Sequence, residues 1–130
     1  MTSITLVGHS AGSQLVQRYT ASGRALAQSK GVGFRAVSAN PSSYLYFTPA
    51  RPVDIGLPAA CPQYDDYKYG VHKLNGYMGA LSGPRLADQY ISRDVTYLLG
   101  DRDLYQDHFI DDSCMAKVQG ESRLERGINY

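Results

Sequence analysis

The chain has 130 residues, 13 Lys and Arg against 12 Asp and Glu for a formal net charge of +1, and 43% hydrophobic residues. That length suits one ordinary domain and not two. Interspersed charges of both signs leave no basic footprint for nucleic acid or an anionic membrane. The hydrophobic content argues against disorder, and no window approaches the ~18 uninterrupted apolar residues of a membrane span.

At the N-terminus no charged stretch precedes an apolar one, so nothing in this chain directs secretion. Instead Ile4-Thr5-Leu6-Val7, bounded by Gly8, predicts a strand buried on both faces of a parallel sheet. A helix is expected next. Leu15, Tyr19, Ser22 and Leu26 recur at helical spacing with Val16 and Gly23 beside them, while Gln14, Gln17, Arg18, Arg24 and Gln28 fill the other face. Lys30, Gly31 and Gly33 close it, a basic residue and then glycine. Phe34 to Ala39 reads as a second strand, stopped by Asn40-Pro41 because proline cannot donate to a ladder. Strand, helix and strand in this span make a right-handed parallel βαβ unit.

All six prolines fall between positions 41 and 84, which marks residues 41–93 as an excursion rich in Pro, Gly and Tyr. Seven of the eleven tyrosines lie in it: Tyr44, Tyr46, Tyr64, Tyr67, Tyr69, Tyr77 and Tyr90. They suit a lid over a cleft, and they equally suit the packing of an irregular insertion short of aliphatics, which is the favoured reading. Val95 to Leu99 then predicts a third strand ending at Gly100. Ser122-Arg123-Leu124-Glu125 fits a capping box that opens a last helix carrying Leu124 and Ile128.

Gly8-His9-Ser10-Ala11-Gly12 is a G-x-S-x-G pentapeptide set between the first strand and the helix. A turn that tight is expected to need small residues two places either side of the serine. It would hold Ser10 in a strained conformation with its hydroxyl above the carboxyl edge of the sheet. The helix N-terminus and the Ala11 amide then point where an oxyanion develops in acyl transfer. By chance the bare pentapeptide is not rare, and its strand and helix context is what makes it specific. No Walker or complete G-x-G-x-x-G motif competes, since Gly31-Val32-Gly33 precedes a strand.

Through Gly8-His9-Ser10-Ala11-Gly12 and Leu98-Leu99-Gly100-Asp101-Arg102-Asp103 the chain resembles the α/β-hydrolase superfamily. Asn40-Pro41-Ser42-Ser43-Tyr44, Cys61-Pro62, Tyr69-Gly70, Asp112-Ser113-Cys114 and Gln119-Gly120 look like a subgroup of fungal and bacterial serine hydrolases. The resemblance implies a partial α/β-hydrolase fold, a parallel sheet with flanking helices, over residues 1–130, with 41–93 as a lid or insertion. It implies Ser10 as nucleophile, the Ala11 N–H as an oxyanion donor, and Asp103 as the acid, with Asp101 as runner-up. It implies no cofactor and no metal, and a small-molecule acyl substrate such as a carboxylic ester.

Family order places the catalytic histidine after the acid, beyond one more helix and strand. His9 sits inside the elbow, His72 precedes the acid, and His108 follows Asp103 by only five residues. The in-order histidine and the upstream loop that supplies a second oxyanion amide are both missing. The chain therefore reads as the middle of a hydrolase, or as a catalytically incomplete fragment acting at most as a binding module. Cys61 and Cys114 have no partner at metal-ligand spacing. Each sits in a polar loop, which favours one disulfide over two buried thiols, and a disulfide would imply an exported parent protein.

Overall fold

A computed structural model describes residues 2–24, 31–104 and 109–130. Three parallel strands, β1 (Thr2–His9), β2 (Val32–Ala39) and β3 (Asp94–Leu98), lie in the order β1-β2-β3. α1 (Ala11–Ser22) makes the crossover from β1 to β2, and α2 (Gly83–Ile91) precedes β3. Two short helices follow, α3 (Cys114–Lys117) and α4 (Arg123–Asn129).

Register divides the sheet into two unlike faces. Ile4 pairs with Phe34, Leu6 with Ala36 and Gly8 with Ser38, while Val95 and Tyr97 continue the rows from Ala36 and Ser38. This face packs on α1 and on a core of Ala21, Leu45, Met78, Leu86 and Tyr90. The other face alternates polar and apolar residues and lies open at Val7 and Leu98, which are 64% and 52% exposed. The expectation that β1 is buried on both faces is therefore corrected. Among the described strands β1 is an edge, and with α1 it borders an apolar groove of about 440 Å³ lined by Ile4, Leu6, Leu15, Val16, Tyr19 and Phe34.

α1 also turns a different side inward from the one expected. Leu15 is 71% exposed in that groove, whereas Gln17 and Arg18 are buried. Both polar side chains are inside because irregular backbone needs partners there. Gln17 Oε1 accepts the Leu45 amide at 2.9 Å, and Arg18 donates to the carbonyls of Ser43 and Lys68 at 3.3 and 2.6 Å. Burial pulls the Arg18 pKa below its usual value. The helix ends earlier than expected, at Ser22, with Gly23 as its cap. Leu26, Gln28 and Lys30 lie outside the described residues.

Within the excursion the tyrosines pack. Tyr44, Tyr69 and Tyr90 are buried. Tyr44 stacks on Tyr130 at 4.6 Å, and Phe47 lies 5.2 Å from Tyr90. Tyr77, half-exposed, stands outside this arrangement. Arg51 reaches the carbonyls of Thr48, Ala50 and Tyr64 and pairs with Asp65 at 2.7 Å, its guanidinium lying against the rings of Tyr46 and Tyr64. Cys61 and Cys114 form a disulfide joining the excursion to α3.

Candidate active site

Ser10 is the N-cap of α1 at φ 53 and ψ −117, a conformation that costs a non-glycine residue of order 1–3 kcal/mol. Its amide donates to Ala39 O at 2.9 Å, and its hydroxyl makes no capping bond. Ala11 is the first residue of α1, where an amide has no intrahelical acceptor. Gly8 behaves as the motif requires, since a Cβ there would overlap the Gly12 carbonyl and lie 2.7 Å from Val16 Cγ2. Gly12 does not. A Cβ at Gly12 would meet nothing within 4 Å, because it would face the open groove beside β1.

The end of β2 links this elbow to the loop after β3. Asn40 follows Ala39 at φ 44; its amide donates to Leu98 O at 2.9 Å, and its side-chain oxygen accepts from the Gly100 amide at 2.7 Å. The Asp103 amide then donates to Gly100 O at 3.1 Å and closes the turn. Asp103 Oδ1 accepts from Arg123 Nη1 at 3.2 Å, and the Leu124 amide donates to Asp103 O at 3.2 Å. Arg123 stands at the start of α4, whose N-cap Ser122 accepts from the Glu125 amide, as the capping box predicts. Asp101, by contrast, is exposed. Ser10 and Asp103 thus follow β1 and β3, the strands on either side of β2, at the carboxyl edge of the sheet, where α/β folds place their ligands.

Neither described histidine serves this site. His9 is exposed on the uncovered sheet face. His72 Nδ1 lies 2.6 Å from Asp66 Oδ1, and Lys73 holds the other oxygen of the same carboxylate at 2.9 Å. Hydrogen bonds from Lys73 and His72 keep the Asp66 pKa below the usual carboxylate value. That segment packs on Arg18 through the Lys68 carbonyl. Arg18 lies eight residues past Ser10, about 12 Å along the helix. His108 lies outside the described residues.

Sequence reasoning missed two residues. Asn40 was legible only as a strand stop, although Asn is among the few residues that tolerate a left-handed backbone. Arg123 was legible only as a member of the capping box. Among the described residues no group of three or more His, Cys, Asp or Glu side chains is placed to hold a metal ion, and no helix is long and apolar enough to cross a membrane.

No family model matches the chain, and no curated protein matches it significantly. Two solved structures do. The poly(3-hydroxybutyrate) depolymerase LpqC from Bordetella parapertussis superposes with a TM-score of 0.67 at 26% identity, over 98% of this chain and 35% of that one. Poly(aspartic acid) hydrolase-1 from Sphingomonas sp. KT-1 does so at 0.64 and 26%, over 95% of this chain and 38% of that one. Both neighbours have the α/β-hydrolase fold, and this chain spans little more than a third of their length.

Proposed function

We propose that this chain, which carries part of the α/β-hydrolase fold, holds the nucleophile and the acid of a serine hydrolase acting on a carboxylic ester or similar acyl bond. The observation that carries the reading is the left-handed backbone of Ser10 at the β1–α1 junction, a strain most readily explained by presentation of a nucleophile. Ser10 Oγ would attack the acyl carbon while its proton passes to a histidine oriented by Asp103. The Ala11 amide would bind the oxygen as it gains charge. Collapse breaks the bond to the leaving group, which takes the proton, and water then releases the acid and regenerates Ser10. The names of the two solved neighbours bring polymeric substrates, as well as small ones, within this class.

A fluorophosphonate probe tests the reading. Ser10 is expected to be labelled in the full-length protein and unlabelled in Ser10→Ala; a full-length protein that does not label at Ser10 overturns it. The second reading, a catalytically incomplete chain that at most binds, rests on the spacing of His108, which follows Asp103 by only five residues where the resemblance implies one more helix and strand. Hydrolysis of a p-nitrophenyl ester by this chain alone, lost in Ser10→Ala, would remove it.

A further inference from the structure

We infer that Arg123 is a positioning residue for Asp103, fixing which carboxylate oxygen meets the catalytic histidine and moderating the charge that the histidine senses. The inference rests on the serine-hydrolase reading and deepens it. Among the described residues, three bonds from different directions hold the guanidinium. Nη1 donates to Asp103 Oδ1 at 3.2 Å, Nε to Ser42 Oγ at 3.2 Å, and Nη2 to the Phe109 carbonyl at 3.0 Å. The pair is largely withdrawn from water, with side chains 11% and 20% exposed. Ser42 lies two residues beyond Asn40, so this clamp and the Asn40 to Gly100 bond grip the acid loop from the same strand end.

Such a clamp has two consequences. With Oδ1 occupied, Oδ2 is the oxygen left for an imidazole N–H, which sets the ring's direction toward Ser10. Arginine stays protonated at any working pH, so it offsets part of the carboxylate charge that would otherwise favour the imidazolium. The histidine then remains a neutral base to lower pH than beside a lone aspartate. Among the described residues the other charges nearby do not replace it. Asp101 and Arg102 on the same loop are exposed, Glu125 of α4 turns to the Glu121 amide, and Arg126 turns to the carbonyls of Gly120 and Ser42.

The test is the pH dependence of kcat/KM in the full-length protein. Arg123→Gln is expected to move the acid limb upward by about half to one pH unit and to lower kcat more than KM. Arg123→Lys keeps the charge but not the fork, so its acid limb should stay near wild type while kcat falls. An unmoved limb in Arg123→Gln, or a wild-type kcat in Arg123→Lys, overturns the inference. If Arg123→Gln does not fold, the lysine variant decides alone. Wild-type protein that labels at Ser10 while these expectations fail sinks only the role of Arg123. Failure of wild type to label sinks the hydrolase reading and this inference with it.

Discussion

The side-chain oxygen of Asn40 accepts the Gly100 amide at 2.7 Å, joining the end of β2 to the loop that carries Asp103. One residue earlier, the Ala39 carbonyl accepts the Ser10 amide at 2.9 Å. The Ser10 turn and the Asp103 loop therefore hang from consecutive residues at the end of β2, the first through a backbone bond to Ala39 and the second through the Asn40 side chain.

Asn40 does this from a left-handed backbone at φ 44, so its variants separate two costs. Asn40→Gly relieves the backbone but leaves the Gly100 amide without its acceptor, and is expected to lose about 1–3 kcal/mol. Asn40→Ala adds the left-handed penalty, about 1 kcal/mol more. Asn40→Asp keeps an acceptor and should lie closest to wild type in stability. Urea midpoints at constant m-value check the order. Equal losses in the glycine and alanine variants would mean that the backbone conformation carries no cost.

The two glycines of the elbow should part company. Gly8→Ala forces a methyl into the Gly12 carbonyl and the Val16 side chain, a clash with backbone that cannot rotate away. A loss of about 3 kcal/mol or more is expected, beyond ordinary overpacking. Gly12→Ala meets open space within α1, where alanine is the better helix former by about 1 kcal/mol. It should be neutral or stabilising in this chain. Thermal unfolding of both variants decides, and a Gly12→Ala variant as unstable as Gly8→Ala would contradict the open groove.

Local pattern was legible wherever a few neighbouring residues decide the outcome. The Ile4 to Val7 run, the Gly8 to Gly12 elbow, the stop at Asn40-Pro41 and the Ser122 cap all depend on short-range sterics or capping bonds, and each strand lies within a few residues of its expected place. What failed depends on distant chain. The inward side of α1 was misread because Gln17 and Arg18 are drawn in by the backbone of Leu45, Ser43 and Lys68, which no helical periodicity encodes. β1 was misread because an apolar run shows that a strand prefers cover, not whether cover lies beside it. α2 was overlooked inside the excursion despite a readable start, with Pro84 in its first turn and Leu86 and Tyr90 one turn apart facing the core.

Buried phenols make the fold sensitive to alkali. Burial is the main cause that pushes the Tyr46 and Tyr69 pKa values up to about 12, and it raises those of Tyr44, Tyr97 and Tyr130 further. Above pH 10 the unfolded chain releases protons that the folded chain retains, so stability present below pH 10 falls as pH rises toward these folded values. A cooperative gain of tyrosinate absorbance together with loss of circular dichroism is expected between about pH 10 and 12. Gradual titration near pH 10 with the dichroism intact would show the phenols to be solvated.

The disulfide should account for much of the stability of the excursion. Cys61 and Cys114 are 53 residues apart, and closing a loop of that size restricts the unfolded chain by about 4 kcal/mol in the chain-entropy model. The helix it anchors, α3, has only four residues and a single side-chain cap from Ser113, so it contributes little by itself. The backbone bond from the Val53 amide to the Val118 carbonyl, 3.2 Å, joins the same two segments but imposes no covalent limit on the unfolded state. The paired substitution of Cys61→Ser with Cys114→Ser is therefore expected to lose about 2–4 kcal/mol, with the reduced wild type matching it within about 0.5 kcal/mol. Denaturant midpoints of the three forms, with a thiol titration showing none in the oxidised protein, make the measurement. If the paired serine variant matched the oxidised protein, the loop would already be held closed in the unfolded chain, and the stabilising role assigned to the crosslink would fall.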